Sequence, residues 1–414
     1  MNLKHYLLAI CLMAALGSHA RSRVLSPDIN TLQAVVNDDW LALLPVMQLG
    51  SDDVMSVSFD QMSHSFHRYH YRLEHCEADW TASDDLFESD WLEGFNSNPI
   101  DDYEYSLNTT VDYTHYRLEL PNERCRLKMS GNYRLWVTDD DNGDEPVLCV
   151  EFMVVEPVVQ LGLGVTTNTD IDHNISHQQV SMTLNYDGLT VTNPTEQLRT
   201  VVMQNGRHDN SRVNVKPTHV TANGLRWEHC RQLIFDGGNE YHKFEVLDVS
   251  HPTMGIDRMW WDGSNFHAYP YDCTPRRNYS YDEDADGAFI VRNSDNIECY
   301  RLCDYVYVHY RLAPARRYDM AHLVVDGAWA TGSPDLYRMT YDEADQSYNA
   351  VVLQKQGYYS YQFLMVDDDG QATHTVPEEG SFSETENTYQ ALAYYRGSTD
   401  RTWRLVGYQQ VKLK

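Results

Sequence analysis

The sequence predicts an all-β chain, on three observations. Apolar and polar residues alternate with period two over most of its length, turn-forming clusters interrupt that alternation at short intervals, and only residues 32–44 offer a helical spacing, as one short helix. The alternation is plainest where Met55, Val57 and Phe59 face one way and Ser56 and Ser58 the other. It returns at Tyr69, Tyr71 and Leu73 against His70 and Arg72, and at Leu148, Val150, Phe152 and Val154. Successive side chains of a strand point to opposite faces, so each run reads as a strand with one buried face. Asp140-Asp141-Asn142-Gly143, Gln204-Asn205-Gly206, Ala222-Asn223-Gly224 and Asp369-Gly370 supply the residues that tolerate positive φ between strands. The 29 tyrosines suit both sheets and contact surfaces.

In chain order, residues 1–20 read as a signal peptide: Lys4, an apolar run from Tyr6 to Leu16, then Ser18-His19-Ala20 as a small-x-small cleavage site. That run is too short to span a bilayer, and no later stretch is both long and uncharged, so no membrane insertion is expected. Residues 21–156 form a first strand-rich block, closed where Glu156-Pro157 breaks the ladder. A second block, 157–298, holds the turns at Asn205, Asn223 and Gly237-Gly238, an aromatic patch at Trp260, Trp261, Tyr269 and Tyr271, and an acidic loop from Tyr281 to Gly287. The third, 299–414, opens on alternating Val306, Val308, Tyr310 and Leu312. Strand, turn and strand at this spacing give tandem immunoglobulin-like or early-set β-sandwiches.

Composition excludes some partners. Cleavage removes Lys4 and takes the formal charge from −29 to −30, which repels phosphate backbones and anionic lipid; nucleic acid is not an expected partner. Seven cysteines remain after cleavage, an odd number and no dense disulfide framework. Cys299 and Cys303 would stand about 13 Å apart in an extended strand, beyond disulfide reach, and pair only if a turn intervenes.

Few residues gather into a chemical motif. His64, His67 and His70 make H-x-x-H-x-x-H, but in an extended segment successive members alternate faces, which argues against one metal triad. Asp282, Asp284, Asp286 and Gly287 match the first half of a calcium loop; its twelfth position is Asn293 instead of the bidentate Glu, so an Asp-rich turn is the better reading. G-x-S-x-G, Walker, H-E-x-x-H and Cys-x-x-Cys signatures are missing. Carboxylates are too plentiful for inspection to pick out a glycosidase pair. No catalytic residue, cofactor or metal is assigned.

A longer series of motifs runs through the chain. It begins with Pro45-Val46-Met47-Gln48-Leu49-Gly50, Ser58-Phe59-Asp60 and Tyr71-Arg72-Leu73-Glu74-His75-Cys76-Glu77-Ala78-Asp79-Trp80. Glu93-Gly94-Phe95, Ile100-Asp101-Asp102-Tyr103, Tyr113-Thr114-His115-Tyr116, Ser130-Gly131-Asn132-Tyr133, Val202-Met203-Gln204-Asn205-Gly206-Arg207, Phe235-Asp236-Gly237-Gly238-Asn239-Glu240 and Gly407-Tyr408-Gln409-Gln410-Val411 follow. In this order the motifs resemble the type IX secretion system plug protein family of Bacteroidota over nearly the whole mature chain. Tyr241-His242 and Asp286 depart from that pattern. The resemblance implies a periplasmic protein without enzyme activity or cofactor, whose partner is the outer-membrane translocon β-barrel and whose role is to close that barrel's periplasmic mouth. His75, Trp80 and the Asn108-Thr109-Thr110 turn are candidate contacts, weighed against a structural role for each.

An alternative function stays open for the last block. Val325-Asp326-Gly327-Ala328-Trp329 and Gly357-Tyr358-Tyr359-Ser360-Tyr361 look like a glycogen-binding early-set sandwich, in which Trp329 or Tyr359 would stack on a sugar in a carbohydrate-binding envelope protein.

Overall fold

The computed structural model describes residues 22–318, 322–367 and 373–413. The expected signal peptide and the Asp369-Gly370 turn lie outside them. Helix among the described residues is confined to three four-residue turns, Glu88–Trp91, Pro194–Gln197 and Cys299–Leu302, and three short 3-10 turns. The rest is strand and loop, so the all-β reading holds.

The first unit is a sandwich of two mainly antiparallel sheets. One runs Ile29–Val36, Met55–Gln61, Thr114–Leu120 and Asp102–Tyr105; the other centres on Tyr69–Cys76, Gly131–Asp139 and Glu145–Val155. Met55, Val57 and Phe59 have no exposure at all and meet Tyr69, Tyr71 and Leu73 across the core, as the alternation requires. Gly131 sits at φ 151°, where a Cβ would fall 2.5 Å from the His75 Nε2, so a side chain there would displace the imidazole.

The helix expected over 32–44 is absent: Ile29–Val36 is a strand, followed by turns. A bulge explains the misreading. Pairing with Met55–Gln61 slips between Asn30 and Gln33, and Thr31 takes φ 51°. The slip puts Ile29, Leu32 and Val36 all on the core side, at intervals of three and four residues that imitate a helical face.

Beyond Val155, strand pairing does not follow a cut at 298/299. One sheet of the second unit contains Gln160–Thr166, His177–Asn185 and Gly224–Trp227; the other joins Leu198–Gln204 to the last two strands of the chain, Thr388–Tyr395 and Arg404–Lys412. Tyr389, Ala391, Tyr395 and Val406 therefore share a core with Val180 and Trp227. The third unit lies within the second in chain order. His242–Val246 and Phe289–Val291 both pair with Gly357–Val366, and Ile256–Trp261, Phe266–Pro270, Tyr305–Leu312 and Ser347–Lys355 form the facing sheet. Alternation tells a strand which side is buried but not which strand lies beside it, and that is what the sequence reading lacked.

Candidate functional site

The first unit meets the other two in two joints of opposite chemistry. Between the first and third, Asp60 and Lys355 are almost completely buried and Lys355 Nζ lies 2.7 Å from Asp60 Oδ2. The Tyr305 hydroxyl donates to the same oxygen at 2.7 Å, and His115 Nδ1 approaches Oδ1 at 2.7 Å. Lys355 also donates to the Tyr300 carbonyl at 2.8 Å and stands 3.9 Å from the Tyr113 ring centroid. Burial alone would raise the Asp60 carboxyl, but Lys355 and His115 hold it below the ordinary carboxylate range. Burial lowers the Lys355 ammonium against the pull of Asp60. Asp304 completes the joint by accepting the backbone N–H groups of Thr110 and Val111 at 2.7 and 3.1 Å.

The joint between the first and second units is mainly apolar. Met153 and Val155 pack with Leu44, Met203, Leu392, Tyr394, Trp403 and Leu405, with Trp80 at its edge. A buried side-chain hydrogen bond crosses it, from the Tyr394 hydroxyl to Asn132 Oδ1 at 2.9 Å, beside the Glu156 N–H donating to the Leu405 carbonyl at 2.9 Å. At its rim Glu77 accepts from Ser83 Oγ and Thr402 Oγ1, each at 2.8 Å, and from the Trp403 N–H at 3.1 Å.

The candidate contacts named from sequence each have partners within the molecule, although Asn108 and Thr110 remain exposed. His75 is buried, with Nδ1 2.8 Å from Ser83 Oγ and Nε2 facing the Ser130 carbonyl at 3.4 Å; burial pushes its basicity down. Trp80 packs in the apolar joint, and the Asn108-Thr109-Thr110 turn is tied to Asp304. Trp329 and Tyr359, offered as sugar platforms, are core residues: Trp329 stacks on Tyr310 at 5.8 Å and donates Nε1 to the Ser360 carbonyl at 3.0 Å. A sugar ring would reach neither face without opening that core, which removes the basis given for the carbohydrate-binding alternative.

The acidic loop is likewise claimed by protein partners. Asp282 pairs with Lys243 at 2.6 Å, Asp284 accepts from the Tyr241 and Asp286 N–H groups, and Asp286 accepts from Thr388 Oγ1 at 2.7 Å. Burial, helped by the Asp286 charge, pushes Asp284 up to about 7; burial with Glu240 and Glu386 pushes Asp286 up to about 6 against Thr388 and Lys412. The three carboxylates thus serve different partners instead of converging on one ion. Of the histidine series, His64 faces Asp112, His67 faces Asp139 and His70 faces Asp140, so no common centre forms. Cys299–Leu302 supplies the turn that a Cys299–Cys303 pairing requires, and all seven described cysteines are free thiols.

The Ser83–His75 contact does not assemble into a hydrolytic triad. Ser83 joins His75 to Glu77 through its own hydroxyl, whereas a nucleophile needs the imidazole between itself and the carboxylate. At His177, Ser176 Oγ and Asp172 Oδ2 share Nδ1 at 2.9 and 2.7 Å, Ser176 Oγ donates to that same carboxylate, and Asp236 Oδ1 stands 3.2 Å from Nε2.

The outer surface offers a different feature. Trp260, 53 % exposed, and Trp261, 44 % exposed, follow one another on Ile256–Trp261, and Tyr271 beyond the paired strand is 61 % exposed. Consecutive strand residues face opposite ways, so exposure of both indoles means that the hairpin stands clear at the edge of its sheet. Ile256–Trp261 pairs on one side only, with Phe266–Pro270. Sequence located this aromatic patch; only the fold separates these exposed rings from the buried tryptophans.

Comparison with known proteins gives the geometry a context. A crystal structure of a hypothetical protein from Parabacteroides merdae aligns with TM-score 0.91 and 34 % identity, covering 95 % of this chain and all of that one. A DNA-bound alkylpurine DNA glycosylase of Pseudomonas fluorescens, at 11 % identity over 33 % of this chain and 30 % of its own, reaches TM-score 0.16. Trypsin-activated alpha-2-macroglobulin from Escherichia coli, at 8 % identity over 96 % of this chain and 23 % of its own, reaches 0.17. Scores that low carry no argument. No curated protein matches the chain. Residues 29–156, the first sandwich with its Asp60, His115 and Gly131, match the family described as the Type 9 secretion system plug protein 1st domain. The first unit of the chain is thus a first domain of the type IX secretion system plug protein family.

Proposed function

We propose that the chain is a periplasmic, non-catalytic plug that binds and closes the periplasmic opening of the type IX outer-membrane translocon barrel. The match of residues 29–156 to the plug family carries this reading. The joints support it: a body that covers a wide, water-filled barrel must keep its shape, and the Asp60–Lys355 network and the Trp403 cluster tie both later units to the first. The exposed indoles of Trp260 and Trp261 suit an anchoring role, since interface energy concentrates in such aromatic side chains. No helix among the described residues is long and apolar enough to cross a membrane, consistent with peripheral attachment through the barrel.

The test is co-purification. A tag after Lys414, mild detergent and mass spectrometry of native envelopes should recover a very large outer-membrane β-barrel in near-equal amount. Recovery of the tagged chain alone, or with glycan only, overturns the proposal.

A further inference from the structure

The geometry points to a divalent-cation site built by His67, Asp139 and Asp141 at one end of the first sandwich. Register brings the groups together. Gly131–Asp139 pairs with Tyr69–Cys76 so that Asp139 lies opposite Tyr69, and the 3-10 turn Asp140–Asn142 folds over the residues just before it. The Asp140 N–H donates to the Arg68 carbonyl at 3.0 Å and the Arg68 N–H donates to Asp141 Oδ2 at 3.1 Å. His67 Nδ1 then stands 3.1 Å from Asp139 Oδ2, and one ligand atom from each of His67, Asp139 and Asp141 lies within 4.8 Å of the other two.

The charge balance asks for a cation. Asp139 is buried at 6 % exposure; its Oδ1 accepts the Asp141 N–H at 3.0 Å, and among the described residues its ion-pair partner is His67, on Oδ2, and not a lysine or arginine. Neighbouring Asp140 is also met by an imidazole, His70 Nδ1 at 2.8 Å. A hydrogen bond from an imidazole satisfies one oxygen of a buried carboxylate, and a bound cation would add charge compensation where burial makes charge costly.

The imidazole is already positioned. Its ring stacks on Tyr69 at 5.8 Å between centroids, and its backbone N–H donates to the Tyr116 hydroxyl at 2.9 Å. One imidazole nitrogen with two carboxylates is a donor set for a borderline first-row ion such as zinc. Tetrahedral ligands on zinc lie about 3.3 Å apart, so closure needs only a short inward movement, which the exposed Asp141 side chain can make. Three protein ligands leave a fourth position for water or for a group from a bound partner.

Titration of the chelator-stripped mature chain with Zn2+, followed by calorimetry and by Co2+ absorption, tests the site. One ion per chain is expected at micromolar affinity or better, weakened at least tenfold in both His67→Ala and Asp141→Asn and kept in His64→Ala and His70→Ala. Equal melting temperatures of all variants in chelator establish that a lost site is not a lost fold. Absence of binding below about 100 µM, unchanged affinity in His67→Ala or Asp141→Asn, or preference for Ca2+ over Zn2+ overturns the assignment.

Discussion

The two joints made by the first sandwich hold its neighbours by different means, and the difference shows what each can tolerate. Between the first and second units, Trp403, Leu405, Met153 and Leu392 exclude water without directional demands beyond shape. Between the first and third, a single carboxylate receives an ammonium, a phenol and an imidazole within 2.7 Å each. An apolar joint weakens in proportion to what is removed. A buried ionic joint does not, because one missing partner leaves a charge stranded.

The largest effect expected follows from that asymmetry. Lys355→Ala should cost about 3–5 kcal/mol in urea unfolding, whereas Asp60→Asn with Lys355→Met should recover much of the loss; a double variant as unstable as the single would break the comparison. Trp403→Ala, which opens a cavity in the apolar joint, should cost about 3 kcal/mol and, unlike Lys355→Ala, should give the same loss at pH 4.5 and pH 8. Acid sharpens the contrast further. Asp60 is held below its ordinary value, so its stabilisation is complete above about pH 4 and is lost as pH falls through the folded value. The Asp60→Asn, Lys355→Met chain should accordingly lose less stability than wild type when acid unfolding is followed below pH 4. Tyr394→Phe removes a buried side-chain hydrogen bond across the apolar joint and should cost about 1 kcal/mol. Smallest of all in stability, Trp260→Ala with Trp261→Ala should change urea unfolding by no more than about 0.5 kcal/mol, yet should sharply reduce recovery of the barrel in the co-purification.

These joints also mark what could be read from sequence. The alternation at Met55, Val57 and Phe59 gave strand and buried face together, because side-chain direction is a local property of extended backbone. Asn205 and Gly206, at φ 52° and 64°, turn where their residue types predict. Residues 32–44 misled because a bulge reset the phase of one strand, and nothing local announces a bulge whose φ 51° residue is a threonine. Motif order singled out Asp60, His115 and Tyr113 without a reason; the reason for Asp60 is Lys355, 295 residues away, with the Tyr113 ring beneath the same ammonium and His115 on Asp60 itself, and period-two patterning carries no information at that range. Likewise the return of Thr388–Tyr395 to pair with Leu198–Gln204 is a matter of topology, which the pattern of either strand alone does not specify. The exposed indoles and the buried Trp329 look alike in sequence, since both sit among tyrosines and turns.

The most direct test of closure is electrical. The purified translocon barrel, reconstituted in a planar bilayer, should conduct, and addition of this chain from the periplasmic side should lower that conductance toward the bilayer background at about one chain per barrel. Conductance unchanged under saturating chain would contradict the account.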